Sequence, residues 1–199
     1  MRPSRPGVIV ILMVACVCVC VSDVWAQEPD AIGVEFSAHG AVVMPVAEWS
    51  ERSGVNIGAW AMARYALPIE GLSARARLGF LFGIPTRSVL TFPDGSEIVL
   101  DNSTVALPLL LGADYRTPLD DLSVHAELGF ASLTYSGRGR STGDAFQIGG
   151  STTAFVVDVG ASYDLSVVRV GLDVLLMNVG GDPLYPGVMF TVGVPLLSS

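Results

Sequence analysis

The sequence predicts an all-β protein, an eight-stranded antiparallel up-and-down transmembrane β-barrel preceded by a cleaved signal peptide. Three observations lead there. Eight segments alternate apolar and non-apolar residues with period two. The connections between these segments alternate between short and long. The chain is also greasy, with mean hydropathy +0.56. Yet after residue 26 it contains no apolar run of the roughly 18 residues that mark a membrane helix.

The first element is the leader, residues 1–26. Arg2 and Arg5 form a positive start, Val8 to Val21 is almost wholly apolar, and Val24-Trp25-Ala26 offers a small-residue cleavage site before Gln27. The apolar run is about 14 residues, shorter than the ~20 of a spanning helix. Cys16, Cys18 and Cys20 all lie within this leader, so the barrel domain, residues 27–199, has no thiol for a disulfide, a metal or nucleophilic chemistry. Lysine is absent. Removing Arg2, Arg5 and Asp23 from the 11 basic and 19 acidic residues leaves nine arginines against eighteen carboxylates, a net −9. Such a balance argues against nucleic acid as a partner, because phosphate binding needs a basic face.

The strands follow in order. In Gly33 to Met44 the apolar set Val34, Phe36, Ala38, Val42 and Met44 alternates with Glu35, Ser37 and His39. Val55 to Leu67 sets Ile57, Ala59, Ala61, Ala63 and Tyr65 against Asn56, Gly58, Trp60 and Arg64. Leu72 to Ile84 sets Ala74, Ala76, Leu78, Phe80 and Phe82 against Arg75, Arg77 and Gly79. A strand gathers both arginines on one face, where a helix would scatter them. Val105–Tyr115, Leu122–Phe130, Phe155–Tyr163, Val168–Leu176 and Val188–Leu196 read the same way. Pro108 and Pro195 fall inside two of these segments, so each predicts a bulge or a strand end.

Between the strands, Pro68–Gly71, Thr117–Asp121 and Leu165-Ser166 are tight turns. Pro45–Gly54, Pro85–Ser103, Ser136–Thr152 and Asn178–Gly187 are expected as four long loops. Within the second, Pro93-Asp94-Gly95 separates two apolar stretches and predicts a hairpin extending past the barrel. The unit Ala63-Arg64-Tyr65 through Leu78-Gly79-Phe80 recurs fifty positions later as Ala113-Asp114-Tyr115 through Leu128-Gly129-Phe130, and Ala161-Ser162-Tyr163 opens a third copy. Each copy is one hairpin, which cannot bury an apolar face alone and therefore tiles. The repeat sets Tyr65, Tyr115 and Tyr163 at one height on the apolar face, as an interfacial aromatic girdle.

Val34 to Tyr65, with its Gly/Ala-rich first strand, Met44-Pro45, a polar loop and Ala63-Arg64-Tyr65, resembles the small outer-membrane β-barrel proteins of the OmpA/OmpX kind. Leu107-Pro108-Leu109-Leu110-Leu111-Gly112-Ala113-Asp114-Tyr115 carries the same likeness. The resemblance is one of pattern over the whole barrel domain, and it implies a bacterial outer-membrane location. Such barrels commonly end on an aromatic residue, whereas this chain ends Leu196-Leu197-Ser198-Ser199.

Strand parity puts Glu35, Arg64, Arg75, Arg77, Asp114, His125, Glu127, Asp158, Arg169 and Asp173 on the inward face. An eight-stranded barrel is just wide enough for side chains to fill it. Buried ions there must pair, because an isolated one costs several kcal/mol. The expectation is a polar plug of arginine–carboxylate pairs, with His125 hydrogen-bonded to Asp114 across the tight turn. A narrow ion path gated by the same pairs is the alternative.

An enzyme on this scaffold needs a serine beside a histidine base on the lipid side. His39 and His125 both point inward by parity, so no enzymatic activity is expected. No His/Asp/Glu spacing suggests a metal, and no cofactor motif is present. Gly137-Arg138-Gly139-Arg140-Ser141-Thr142-Gly143 lacks dinucleotide-fingerprint spacing and reads as a surface loop, whose Arg138 and Arg140 suit lipopolysaccharide phosphates. The function expected is a monomeric barrel, embedded in outer-membrane lipid, that binds an external ligand through its loops. The rival is a soluble exported lipocalin-like barrel around an apolar ligand, which requires ions outside and aliphatic side chains within.

Overall fold

The computed structural model describes residues 33–198 apart from 48, 49, 51–53, 92, 94–96, 120, 142 and 143. The leader, and Asp94-Gly95 of the expected turn, lie outside the described residues. The described chain is built of strands: β1 (Val34–Pro45), β2 (Asn56–Ala66), β3 (Leu72–Gly83), β4 (Thr86–Thr91), β5 (Glu97–Arg116), β6 (Leu122–Ser141), β7 (Asp144–Leu165), β8 (Val168–Met177) and β9 (Tyr185–Ser198). Every neighbouring pair is antiparallel. β1 pairs with β9, and β3 pairs with β5 past β4, so eight strands close on themselves while β4 stays outside the ring. Closure removes the edges that an open sheet would present.

Alternation decides which residue faces where. Leu111, Leu128 and Phe130 are exposed by 59%, 58% and 60%, and they lie on the outer face of β5 and β6. Their immediate neighbours Leu110, Glu127 and Gly129 are buried. The apolar belt thus faces outward around the whole ring, with Leu78, Leu109, Val159, Leu172, Val174, Phe190 and Val192 among its exposed members. Phe130 and Phe155 meet edge-to-face on neighbouring strands, their centroids 5.6 Å apart.

The internal repeat is visible in the turns. Leu67 N–H donates to the Leu72 carbonyl (3.0 Å), and fifty residues later Thr117 N–H donates to that of Leu122 (2.8 Å). Gly71 closes the first turn at φ 76°, a left-handed conformation that costs glycine little. The third turn is tighter and places Ser166 at φ 64°.

Two sequence expectations change, and two hold. The segment Ser136–Thr152 is not a loop, because β6 runs to Ser141 and β7 starts at Asp144. The expected hairpin in Pro85–Ser103 forms as β4 against the upper part of β5, in register from Thr86↔Asn102 to Thr91↔Glu97. Both hairpins leave the belt and pair into one sheet, β4-β5-β6-β7. Their period-two signal is faint in the sequence because glycine, serine and threonine supply much of both sets on β6 and β7 there. Pro195 does sit at a bulge, where the β1–β9 register shifts between Phe36 and Ser37. Pro108 makes neither a bulge nor an end. It stays in β5, paired with Ala131, while the β3 ladder skips from Leu78↔Leu109 to Leu81↔Ala106. A proline lacks the N–H for one of its two neighbours, and here the lost side is the one facing β3.

Candidate functional site

The lumen has two storeys. At the short-turn end, all ten residues assigned inward by parity form one ionic chain. Arg169 contacts Glu35 at 2.6 Å, and Glu35 lies 3.9 Å from Arg64. Arg64 and Arg75 converge on Asp114 at 2.6 and 3.2 Å. Arg75 continues to Glu127 at 3.0 Å, and Arg77 then joins Glu127, Asp158 and, at 3.5 Å, Asp173. The chain ends at His125, whose Nε2 lies 2.9 Å from Asp173 and 3.7 Å from Asp158. Asp158 is 0% exposed and Asp173 1%, so water screens these pairs very little.

His125 does not bond Asp114 as expected. The two are register partners on β6 and β5, but the ring turns the other way along the barrel wall, to β7 beside it and β8 beyond, while Asp114 is taken by Arg64 and Arg75. Two arginines from β2 and β3 already neutralise Asp114, which leaves the imidazole the carboxylates on the other side of β6. Sequence reading also missed Asp164 and Arg116 at the mouth. Asp164 is bound by Arg169, with Nη2 at 3.1 Å, and lies 3.3 Å from Arg116. Its inward parity with Ser162 was the available signal.

Above the ions the lumen is apolar, which the expected polar plug did not include. Ala41, Val43, Trp60, Leu81, Ala106, Leu110, Ala131, Val156, Leu175, Met177 and Met189 form a continuous buried cluster. They occupy the inward parity of the same strands, nearer the long connections. Arg77 marks the boundary, its guanidinium 4.6 Å from the Trp60 ring centre. Gly79 lies opposite Trp60 in register, and a Cβ there would fall 2.5 Å from the indole. Only glycine at position 79 leaves room for the ring over the neighbouring strand. Gly193 makes the same room for the His39 ring.

The fold brings together groups that sequence spacing did not. Ligand atoms of His125, Glu127 and Asp158 lie within 4.8 Å of one another. The Arg77 guanidinium contacts both of these carboxylates, so the convergence already holds a cation and does not suit a metal ion. Ser37 Oγ and His39 Nε2 are 2.9 Å apart inside the lumen. Tyr65, Tyr115 and Tyr163 stand exposed on the outer face, just before the three short turns. Arg138 lies exposed on β6 of the outer sheet, and Arg140 follows two residues on in the same strand. Both sit in a hairpin rather than a flexible loop. With ions inside and aliphatic side chains outside, the polarity is the reverse of a lipocalin-like carrier.

No protein-family model matches the sequence, and no curated protein matches it either. Solved structures do. A major outer membrane protein from Thermus thermophilus matches over 82% of this chain and 99% of its own, at 13% identity and TM-score 0.56. Ail, the attachment invasion locus protein of Yersinia pestis, matches over 83% of this chain and 99% of its own, at 12% identity and TM-score 0.53. Ail in complex with the heparin analogue sucrose octasulfate matches with the same coverage and identity at TM-score 0.51. Nearly the full length of those proteins is thus spanned by residues that form one closed ring here, and the chain has the fold of the small outer-membrane β-barrels.

Proposed function

We propose that this protein resides in a bacterial outer membrane as a closed, non-conducting, monomeric barrel that carries a binding sheet outside the cell. The observation behind this is the radial order of the ring: exposed leucine, valine and phenylalanine outside, ion pairs within. Hydrocarbon accepts the first and rejects the second. Tyr65, Tyr115 and Tyr163 then mark the inner interface, each with its ring in lipid and its hydroxyl toward water.

Two barriers in series support the closed lumen. An ion would have to displace paired arginines below, then pass the side chains of Leu110, Leu175 and Met189, which are 0% exposed. In planar bilayers the wild-type protein is expected to give no step conductance, and regular open-channel steps would overturn the closed state. A protein released by carbonate washing, with no heat-dependent gel shift, would overturn the membrane placement. No enzymatic role is proposed, since among the described residues the hydrogen-bonded Ser37–His39 pair lies in the lumen and not on the lipid face.

Outside the belt, the β4-β5-β6-β7 sheet is the binding element, with lipopolysaccharide phosphate as one partner at Arg138 and Arg140. Arg138 lies eight residues along β6 from Phe130, roughly 27 Å at ~3.4 Å per residue. That reach suits phosphates above the lipid headgroups. Lipopolysaccharide is expected to protect the wild type from proteolysis but not Arg138→Ala/Arg140→Ala. Equal protection of both would end this assignment.

A further inference from the structure

The internal repeat marks the outside of the ring as well as its turns. In the first hairpin Ala63 stands opposite Ala76, and in the second Ala113 stands opposite Ala126, all four on the outward face. The third copy breaks the pattern, with Leu172 opposite Ala161. Alanine stops short of the leucines and valines around it, so the apolar belt is dented at both alanine pairs. One depression, of about 280 Å³, is lined on its outward side by Val34, Ala63, Tyr65, Ala74, Ala76 and Leu111. The other, of about 420 Å³, is lined there by Leu72, Ala113, Tyr115, Val124, Ala126 and Val159. Each opens beside a girdle tyrosine, at the short-turn end of the belt. Where this face meets hydrocarbon, an empty dent forfeits dispersion contacts that an acyl chain restores.

Charge at the foot of the wall selects the headgroup. The three short turns, residues 68–71, 117–121 and 165–166, contain Glu70, Asp120 and Asp121 and no basic residue. Asp121 is exposed just before β6, below the larger depression, and Glu70 is exposed in the turn below the smaller one. Among the described residues no basic side chain pairs with either carboxylate. Arg116, at the end of β5, is drawn instead to Asp164, 3.3 Å away. An anionic headgroup meets like charge at these turns, whereas an ammonium meets opposite charge. The Tyr115 hydroxyl, at the foot of the depression, is a donor for the phosphate between ammonium and chain.

We propose that the Ala113/Ala126 depression seats one acyl chain of an inner-leaflet phospholipid with an amine headgroup, of the phosphatidylethanolamine class. Its ammonium faces Asp121 and its phosphate accepts from Tyr115. The Ala63/Ala76 depression repeats the arrangement with Tyr65 and Glu70. The inference rests on the membrane placement proposed above and adds a lipid class and the wall that holds it.

The test places the full-length protein in vesicles of equal parts phosphatidylethanolamine and phosphatidylglycerol. In parallel samples one lipid or the other carries a photoreactive diazirine in its acyl chain, and labelled residues are mapped by mass spectrometry. Ala113, Val124 and Ala126 are expected to take at least threefold more label from phosphatidylethanolamine. Val192 and Val194, on β9 across the ring, are expected to take equal label from both. Ala113→Leu/Ala126→Leu raises the floor with a side chain the belt already uses, and is expected to bring the ratio at Val124 and Val159 to one. Asp121→Asn is expected to at least halve the ratio. Both variants lie outside the lumen and leave its ion pairs intact. Equal label from the two lipids at Ala113 and Ala126, or a ratio that survives either variant, overturns the proposal. If Val192 and Val194 are labelled while Ala113 shows no preference, only the lipid seat falls. If neither wall is labelled, the membrane placement falls with it.

Discussion

Arg77 reaches carboxylates on β6, β7 and β8 from a single position on β3. Its planar fork can serve several oxygens at once, which a lysine ammonium does less well. Among the described residues, Arg77→Leu leaves Asp158 with His125 as its one basic group within 4 Å and Glu127 with Arg75. Breaking a buried pair from one side costs about 3–5 kcal/mol. The urea midpoint of the refolded barrel is expected to fall accordingly, and Arg77→Lys is expected to recover part of the loss. An unchanged midpoint in Arg77→Leu would mean that water, and not Arg77, satisfies those carboxylates. The facing of individual charges such as this one is legible in the sequence, because parity alone sends Arg75 and Arg77 inward. Their partners are not. Glu127 is 50 positions from Arg77, and Asp173 is 96. Nothing local to the chain selects one carboxylate over another.

At the scale of elements, β6 shows where the belt ends. Its outward residues run Val124, Ala126, Leu128, Phe130, then Ser132, Thr134, Ser136 and Arg138. The switch from apolar to hydroxylated side chains falls at Ser132 without any break in the strand. Leu128→Arg puts a charge in the middle of the belt, where the cost is about 2–4 kcal/mol. Ser132→Arg stands at the edge and costs about 0–1 kcal/mol. Folding yield into vesicles is expected to drop for the first and hold for the second, and equal yields would contradict the assigned belt. Sequence reading found β1, β2, β3, β8 and β9 nearly whole, and β5, β6 and β7 only in the part where one face had to be apolar. It stopped short on β6 and β7, where glycine, serine and threonine interrupt the apolar alternation.

At the scale of the whole molecule, ring closure turns two incomplete faces into two compartments. The inner face of any one hairpin carries a few ions and a few apolar residues. Closure stacks ions from seven of the eight ring strands at one end, β9 supplying none, and the leucines and methionines at the other. The apolar storey was invisible in the sequence because Leu110, Leu175 and Met189 occupy the same parity as the charges. In a linear reading they look like interruptions of a polar set. The two free edges of the outer sheet belong to this scale too, since an edge is defined by which strand fails to arrive. By itself the sequence determined the number of barrel strands, their facing and the ions inside. Those follow from a side-chain period of two, which each segment carries alone. Tertiary structure alone decided which ions pair, that an apolar layer lies above them, and which strands form the edges of the outer sheet. These depend on contacts between residues far apart in the chain, and only the closed ring brings them within a few ångströms.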